Sequence, residues 1–159
     1  MATKNFYNKK LRTSEDGLDL IKHFEGLRTE AYYCTGNKRT IGYGHLIGDY
    51  ISTCTVQQAE EWLVDDVKSS ERAVKSLVGV RLAQNQFDAL VSFVFNLGAF
   101  NFKKSTLLKR INSGSHEDVP FQLSRWNKSG RPLKVTSGLT RRRKAEGVMY
   151  GTGEVDFKN

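Results

Sequence analysis

Three residues in the first quarter of the chain have the types and spacing for proton and water chemistry. They are Glu25, Cys34 and Thr40, with eight residues between the first two and five between the last two. A glutamic acid can hand over a proton, an ionised thiol is a strong nucleophile, and a hydroxyl can hold a water by accepting and donating at once. Directly afterwards, Ile41-Gly42-Tyr43-Gly44-His45 sets two glycines around a tyrosine, a pattern for close backbone approach. An acid, a sulfur and a hydroxyl around one small cleft are the parts of a hydrolytic site.

Each of the three has a plainer reading. Glu25 reads equally as a surface glutamate at a frayed helix end, and Cys34 as a half-buried strand cysteine. An unperturbed thiol titrates at about 8.5 and is mostly neutral at pH 7. The net charge of +8 favours partial ionisation.

The elements that must position these groups follow from periodicity. A first helix starts at Thr13 or Ser14, with Ser14 as cap and Glu15 and Asp16 at its positive end. Leu18, Ile21 and Phe24 share one face, Glu25 falls on the edge of that stripe, and Gly26 ends the helix. A carboxyl there is costly unless it is paired, hydrogen-bonded or kept protonated. Residues Glu30 to Cys34 and Arg39 to Tyr43 read as strands around a Thr35-Gly36-Asn37-Lys38 turn, and Ile47 to Thr53 as a third strand. Thr55 then caps a long helix to about Leu77, stopped by Gly79, with Gln58 set for a capping box. Its inner face is Val56, Ala59, Leu63, Val67, Ser70 and Val74. Asp66 also points inward, and His45 is read as its partner in an orienting pair. Gln84 to Leu97 is apolar on nearly every side, as a central helix is. Shorter helices are expected at Ser105 to Asn112 and Glu117 to Trp126, a loop at Asn127 to Ser137, and a final helix from near Gly138 to Tyr150.

Composition narrows the class. A chain of 159 residues can bury roughly 70% of its unfolded surface without staples. Lys plus Arg at 25 against Asp plus Glu at 17 favours an anionic partner: nucleic acid, membrane face or cell-wall polymer. No zinc-finger, RNA-recognition or clear helix-turn-helix pattern supports nucleic acid. The amino terminus lacks the apolar core of a signal peptide and no stretch approaches a spanning helix, so stable membrane insertion is not expected and synthesis in a cytoplasm is. Cys34 and Cys54 read as reduced thiols; they form no CxxC or Cys/His set for a metal, and no cofactor is called for.

Glu25-x8-Cys34-x5-Thr40 with Ile41-Gly42-Tyr43-Gly44-His45 resembles the phage-type lysozyme (endolysin) family of glycoside hydrolases, in which the middle position is Asp or Cys. The resemblance continues in Thr55-x3-Ala59 with Asp66, in Asn85-Gln86-Phe87-Asp88-Ala89-Leu90 through Phe95-Asn96-Leu97-Gly98, and in Phe102-x2-Ser105-Thr106-Leu107-Leu108. It closes with Trp126 and Gly138-Leu139-x2-Arg142-Arg143-x2-Glu146. It covers nearly everything from Ser14 to Tyr150.

The resemblance implies an α+β, mostly helical lysozyme-like fold in a single domain. A small antiparallel sheet lobe (about 14–54) and a larger helical lobe (79–150) would be joined by a long helix (55–78). It implies cleavage of the β-1,4 bond between N-acetylmuramic acid and N-acetylglucosamine in bacterial peptidoglycan, in host lysis at phage release. Glu25 becomes the acid, Cys34 the base or nucleophile and Thr40 the water holder. An apolar helix face keeps a proton on Glu25, whereas a neighbouring Arg142 or Arg143 opposes this by pairing. Leu46, Phe95, Ser105 and Arg142 match cleft positions, although Phe95 also reads as core and Ser105 as a helix cap. Arg141-Arg142-Arg143-Lys144 reads either as a solvated helix face or as attraction toward an anionic wall. With no export segment, a monomer would reach the wall through a separate holin-type pore. A catalytically idle wall-binding relative, a lytic transglycosylase and a nucleic-acid-binding helical protein are the rival readings. A Cys34–Cys54 bridge would block the thiol, but bridging needs close Cα atoms.

Overall fold

The computed structural model describes residues 7–157. Helix α1 (Glu15–Glu25) starts where Ser14 Oγ accepts the Gly17 amide, and it ends at Gly26 with φ +73°. Leu20 and Ile21 are wholly buried beneath it, while Leu18 and Phe24 are half-buried. Its first turn is tied to the protein centre: Asp88 accepts the Ser14 amide at 3.0 Å, the Ser14 hydroxyl, and Gln84 Nε2 at 2.9 Å. Gly17 is required beside this clamp, because a Cβ there would lie 2.7 Å from the Asp88 carboxyl carbon. Burial pushes the Asp88 carboxyl above its ordinary value, against the hydrogen bonds from Ser14 and Gln84.

Strands β1 (Arg28–Tyr33), β2 (Arg39–Gly42) and β3 (His45–Leu46) form an antiparallel sheet in that order. The third strand is therefore not the expected Ile47 to Thr53. That run is a loop, joined to β1 by one bridge between Glu30 and Thr53. Two of its carbonyls are satisfied by a side chain, the Arg39 guanidinium donating to Gly48 O at 2.8 Å and to Ile51 O, while Ser52 O accepts the Ala31 amide of β1 at 2.9 Å.

Helix α2 (Val56–Leu77) starts on Thr55, whose hydroxyl accepts the Gln58 amide at 3.0 Å, and packs on β2, β3 and the central helix α3 (Gln84–Leu97). Ala59, Leu63, Val67, Ser70 and Val74 are buried, but Val56 is half-exposed, since the first turn of α2 projects beyond its neighbours. In α3 every residue from Phe87 to Val94 is buried. A helix the sequence did not announce, α4 (Ala99–Lys104), precedes α5 (Thr106–Asn112). The expected helix at Glu117 to Trp126 is shorter: a 3-10 turn (His116–Asp118) leads into α6 (Val119–Ser124), with Pro120 in its first turn. The expected loop holds a small hairpin, β4 (Lys128–Ser129) and β5 (Lys134–Val135), turning through Gly130 at φ +86°. Helix α7 (Ser137–Thr152) packs against α3 and α6. The architecture is mostly helical with small antiparallel sheets. Among the described residues no helix is long and apolar enough to cross a membrane.

Candidate active site

Glu25 occupies the last turn of α1, where the helix meets the sheet, and its side chain is 23% exposed. One carboxylate oxygen, Oε1, accepts Nη1 of Arg142 at 2.7 Å. The other, Oε2, faces the turn between β2 and β3, and a Cβ at Gly44 would sit 3.4 Å from it. This is the close approach that the glycine pair announced. Gly44 has φ +82°, so its conformation calls for glycine.

Arg142 reaches Glu25 from α7, 117 residues further along the chain. It is buried, donates through Nε to Ser92 Oγ at 3.3 Å and through Nη2 to Ser92 O at 3.4 Å, and stands over the Phe24 ring. Arg142 was expected to touch substrate. Its bonds to Glu25 and Ser92 use three of the five guanidinium N–H donors. The basic run is likewise not one solvated face: Arg141 and Lys144 are exposed, Arg142 and Arg143 buried. The reason is helical phase, because α7 turns two consecutive positions into the packing against α3 and α6.

Cys34 follows β1 and opens the turn to β2. Its amide donates to Lys38 O at 2.9 Å, and its carbonyl accepts the Asn37 amide at 2.8 Å. The turn directs hydrogen bonds onto the sulfur, from the Gly36 amide, then the Thr40 hydroxyl, then the Lys38 amide. These hold the Cys34 thiol below its ordinary value. Thr40 is buried at 2% exposure, and its hydroxyl also lies 2.9 Å from Lys38 O. One hydroxyl carries one proton, so it serves either the Lys38 carbonyl or the sulfur. When Thr40 donates to either, what remains for a water is an acceptor lone pair.

Across the sheet, Tyr32, Thr40 and Leu46 are directly paired and so lie on one face. Leu46 is 56% exposed there. Tyr32, with the Arg28 guanidinium stacked 4.7 Å from its ring centre, was missed in the sequence. Its signal was available: it stands two residues before Cys34 in a strand, where alternate residues share a face. Ile41 and His45 pair on the opposite face. There His45 Nδ1 lies 2.8 Å from Asp66 Oδ2, and the His45 ring stacks on Trp62.

The remaining candidates are placed differently. Phe95 is half-buried and packs against the core. Ser105 is buried and caps α5, accepting the Leu108 amide at 3.0 Å and donating to Phe102 O at 2.7 Å. Its hydroxyl has no proton left for a ligand. It borders a cavity of about 600 Å³ between Lys104, Arg125, Trp126 and Leu133. A smaller cavity of about 420 Å³ holds Glu25 itself, with Asn96, Thr136 and Leu139 opposite. Neither Cys34 nor Thr40 lines this cavity, so it does not gather the three candidate groups. Cys54 sits beside Thr29, with its sulfur 3.9 Å from Arg28 O, at the far end of β1 from Cys34. Five strand residues amount to about 16 Å, well beyond bridging distance. Among the described residues no three His, Cys, Asp or Glu side chains gather as metal ligands would.

A family model described as phage lysozyme matches residues 22–146. The endolysin of Bacillus phage B103 is 43% identical over 91% of this chain, which spans only 56% of that relative's length. The endolysin of Acyrthosiphon pisum secondary endosymbiont phage 1 is 40% identical over 88% of this chain and 98% of its own. Among solved structures, the endolysin from Escherichia coli O157:H7 phage FAHEc1 superposes with a TM-score of 0.85 at 36% identity, covering 91% of this chain and 96% of that one.

Proposed function

The chain belongs to the phage lysozyme family, and from that premise we propose that it is a peptidoglycan hydrolase of the endolysin kind. Its proposed reaction is hydrolysis of the β-1,4 bond between N-acetylmuramic acid and N-acetylglucosamine. A glycoside hydrolase needs an acid for the leaving oxygen and a base or nucleophile on the other face of the sugar. The observation that carries the assignment is the division of labour on one carboxyl: Arg142 takes Oε1 of Glu25, and Oε2 is left toward the Gly44 turn. A proton on Oε2 is thus aimed, while Arg142 keeps the carboxyl from rotating away.

Cys34 supplies the second group. Its thiolate, favoured by the Gly36 and Lys38 amides, takes a proton from water or attacks the anomeric carbon itself. Thr40 turns its hydroxyl to the sulfur when the thiolate forms and returns it to Lys38 O when the thiol is restored, so it orients Cys34 in both states. Leu46 and Phe95 are proposed to border the bound glycan. His45 and Asp66 hold the sheet to α2 without touching it. The cleft is assigned to the junction of a sheet-bearing lobe (about 14–54) with a helical lobe (79–150), and α2 is the spine between them.

In the phage setting the protein is made in the host cytoplasm, works as a monomer and meets the wall after a holin-type protein opens the inner membrane. The family membership and the endolysin relatives support this placement. The test is turbidity loss of outer-membrane-permeabilised cells, with muropeptide release followed in parallel. Glu25→Gln is expected to abolish both, and full release by that variant would remove Glu25 from the mechanism.

A further inference from the structure

Beneath the Arg142–Glu25 contact lies a carboxyl that the proposed reaction does not use. Glu146 is wholly buried, one turn beyond Arg142 on α7. Its Oε1 accepts Nη2 of Arg143 and lies 4.0 Å from Nε of Arg142. Four side chains therefore alternate in sign along one line: Glu25, Arg142, Glu146, Arg143. Among the described residues, Oε2 of Glu146 and Nε of Arg143 have no hydrogen-bond partner. The neighbouring elements, among the described residues, bring no charge to Glu146 beyond Arg143 and Arg142. From α3 come Ser92, bonded to Arg142, and the Phe93 ring under Arg143. After α6 comes the Trp126 carbonyl, which accepts Arg143 Nη1. Asp88 on α3 is turned to the start of α1. The charges acting on Glu146 are those of Arg143 and, second, Arg142. Around Glu25, the other charged or titratable side chains in its cavity are His23, Arg141 and Arg142.

We propose that Glu146 is a positioning residue for the catalytic acid, dividing the Arg142 guanidinium between two carboxyls and so setting how firmly that cation holds Glu25 as an anion. The inference rests on the reading of Glu25 as proton donor. While Glu146 is ionised, its charge offsets that of Arg142 at Glu25; when Glu146 is neutral, the charge of Arg142 bears on Glu25 alone. Burial pushes the Glu146 carboxyl up to about 7, outweighing both arginines, so the change of state falls near neutrality.

Glu146→Gln fixes the neutral state, and its kcat/KM against pH on solubilised glycan tests the idea. The alkaline limb is expected to move to lower pH. A move of one unit lowers activity on that limb roughly tenfold, while activity at pH 5 stays within about twofold. A fall by the same factor at every pH, with the limb unmoved, assigns Glu146 a purely structural role and overturns the proposal. A second measurement needs no variant. The Glu25 carboxyl-¹³C signal of the unaltered protein is expected to show an extra inflection at the pH where the Glu146 signal titrates, and a Glu25 curve blind to Glu146 overturns the coupling. Activity in Glu25→Gln would instead sink the assignment of the acid, and the ¹³C coupling would still be read on its own terms.

Discussion

Gly44 offers the sharpest test of how the acid is presented. Its φ of +82° lies in the left-handed region, where a Cβ costs about 1–2 kcal/mol. The added methyl of Gly44→Ala would meet Oε2 of Glu25 at 3.4 Å, which is ordinary contact and not a clash. Backbone strain therefore accounts for the whole stability loss, about 1–2 kcal/mol in urea unfolding. Activity is governed by a different distance. A glycosidic oxygen must come within about 2.6–3.2 Å of the proton it receives, and the methyl takes up one side of that approach. Because Arg142 occupies Oε1 at 2.7 Å, the carboxyl cannot simply present its other oxygen. A reacting atom displaced by about 1 Å loses on the order of 100-fold in rate, and muropeptide release by Gly44→Ala is expected to fall by that order, in kcat more than in KM. Gly114→Ala is the matched control, with φ of +81° and nothing within 4 Å of the added methyl. It should lose the same stability and no activity. If Gly44→Ala is destabilised like the control but cuts glycan at the full rate, the argument that Oε2 delivers the proton past this turn is wrong.

Two further outcomes bear on the carboxyl and the thiol. Cys34→Ser is expected to lose about 10²- to 10⁴-fold in kcat, the range of a general base, whereas Cys34→Asp should retain lysis and extend its acid limb to lower pH; a fully active Cys34→Ser would take the sulfur out of the chemistry. Glu146→Gln should alter stability in a pH-dependent way. In the folded chain Glu146 keeps its proton up to about 7, against an ordinary 4.5, so the unfolded state releases it first and the wild type loses stability as pH rises between those values. At about 1.4 kcal/mol per pH unit, the gap amounts to about 3 kcal/mol. The variant should match the wild type near pH 4 and exceed it by about that much at pH 8 in denaturant titrations, and a difference that stays constant across this range contradicts the burial argument.

Local chemistry was legible in the chain because it depends on neighbours in sequence. Ser14 and Thr55 cap their helices, Gly26 stops the first one, and the turn after Cys34 closes where Gly36 and Asn37 allow it. The motif from Glu25 to His45 could be read for the same reason, and so could the burial of α3, whose apolar residues surround it on all sides. The misreadings share a cause as well. Ile47 to Thr53 has strand-like residues, but the Arg39 side chain takes two of its carbonyls, Gly48 O and Ile51 O. Ser105 and Arg142 also make contacts that their types did not announce, with an amide three residues on and a carboxyl 117 residues away.

What the sequence determined by itself was the inventory: an acid at a helix end, a thiol where one strand turns toward the next, a hydroxyl on that next strand, and glycines where backbones approach. What only the tertiary structure decided was how those groups are electrically coupled. Pairing across 117 residues brings Arg142 onto Glu25, and burial on all sides brings Glu146 up to about 7 beneath it. Charge interactions depend on distance through space and on exclusion of water, and neither is set by spacing along the chain.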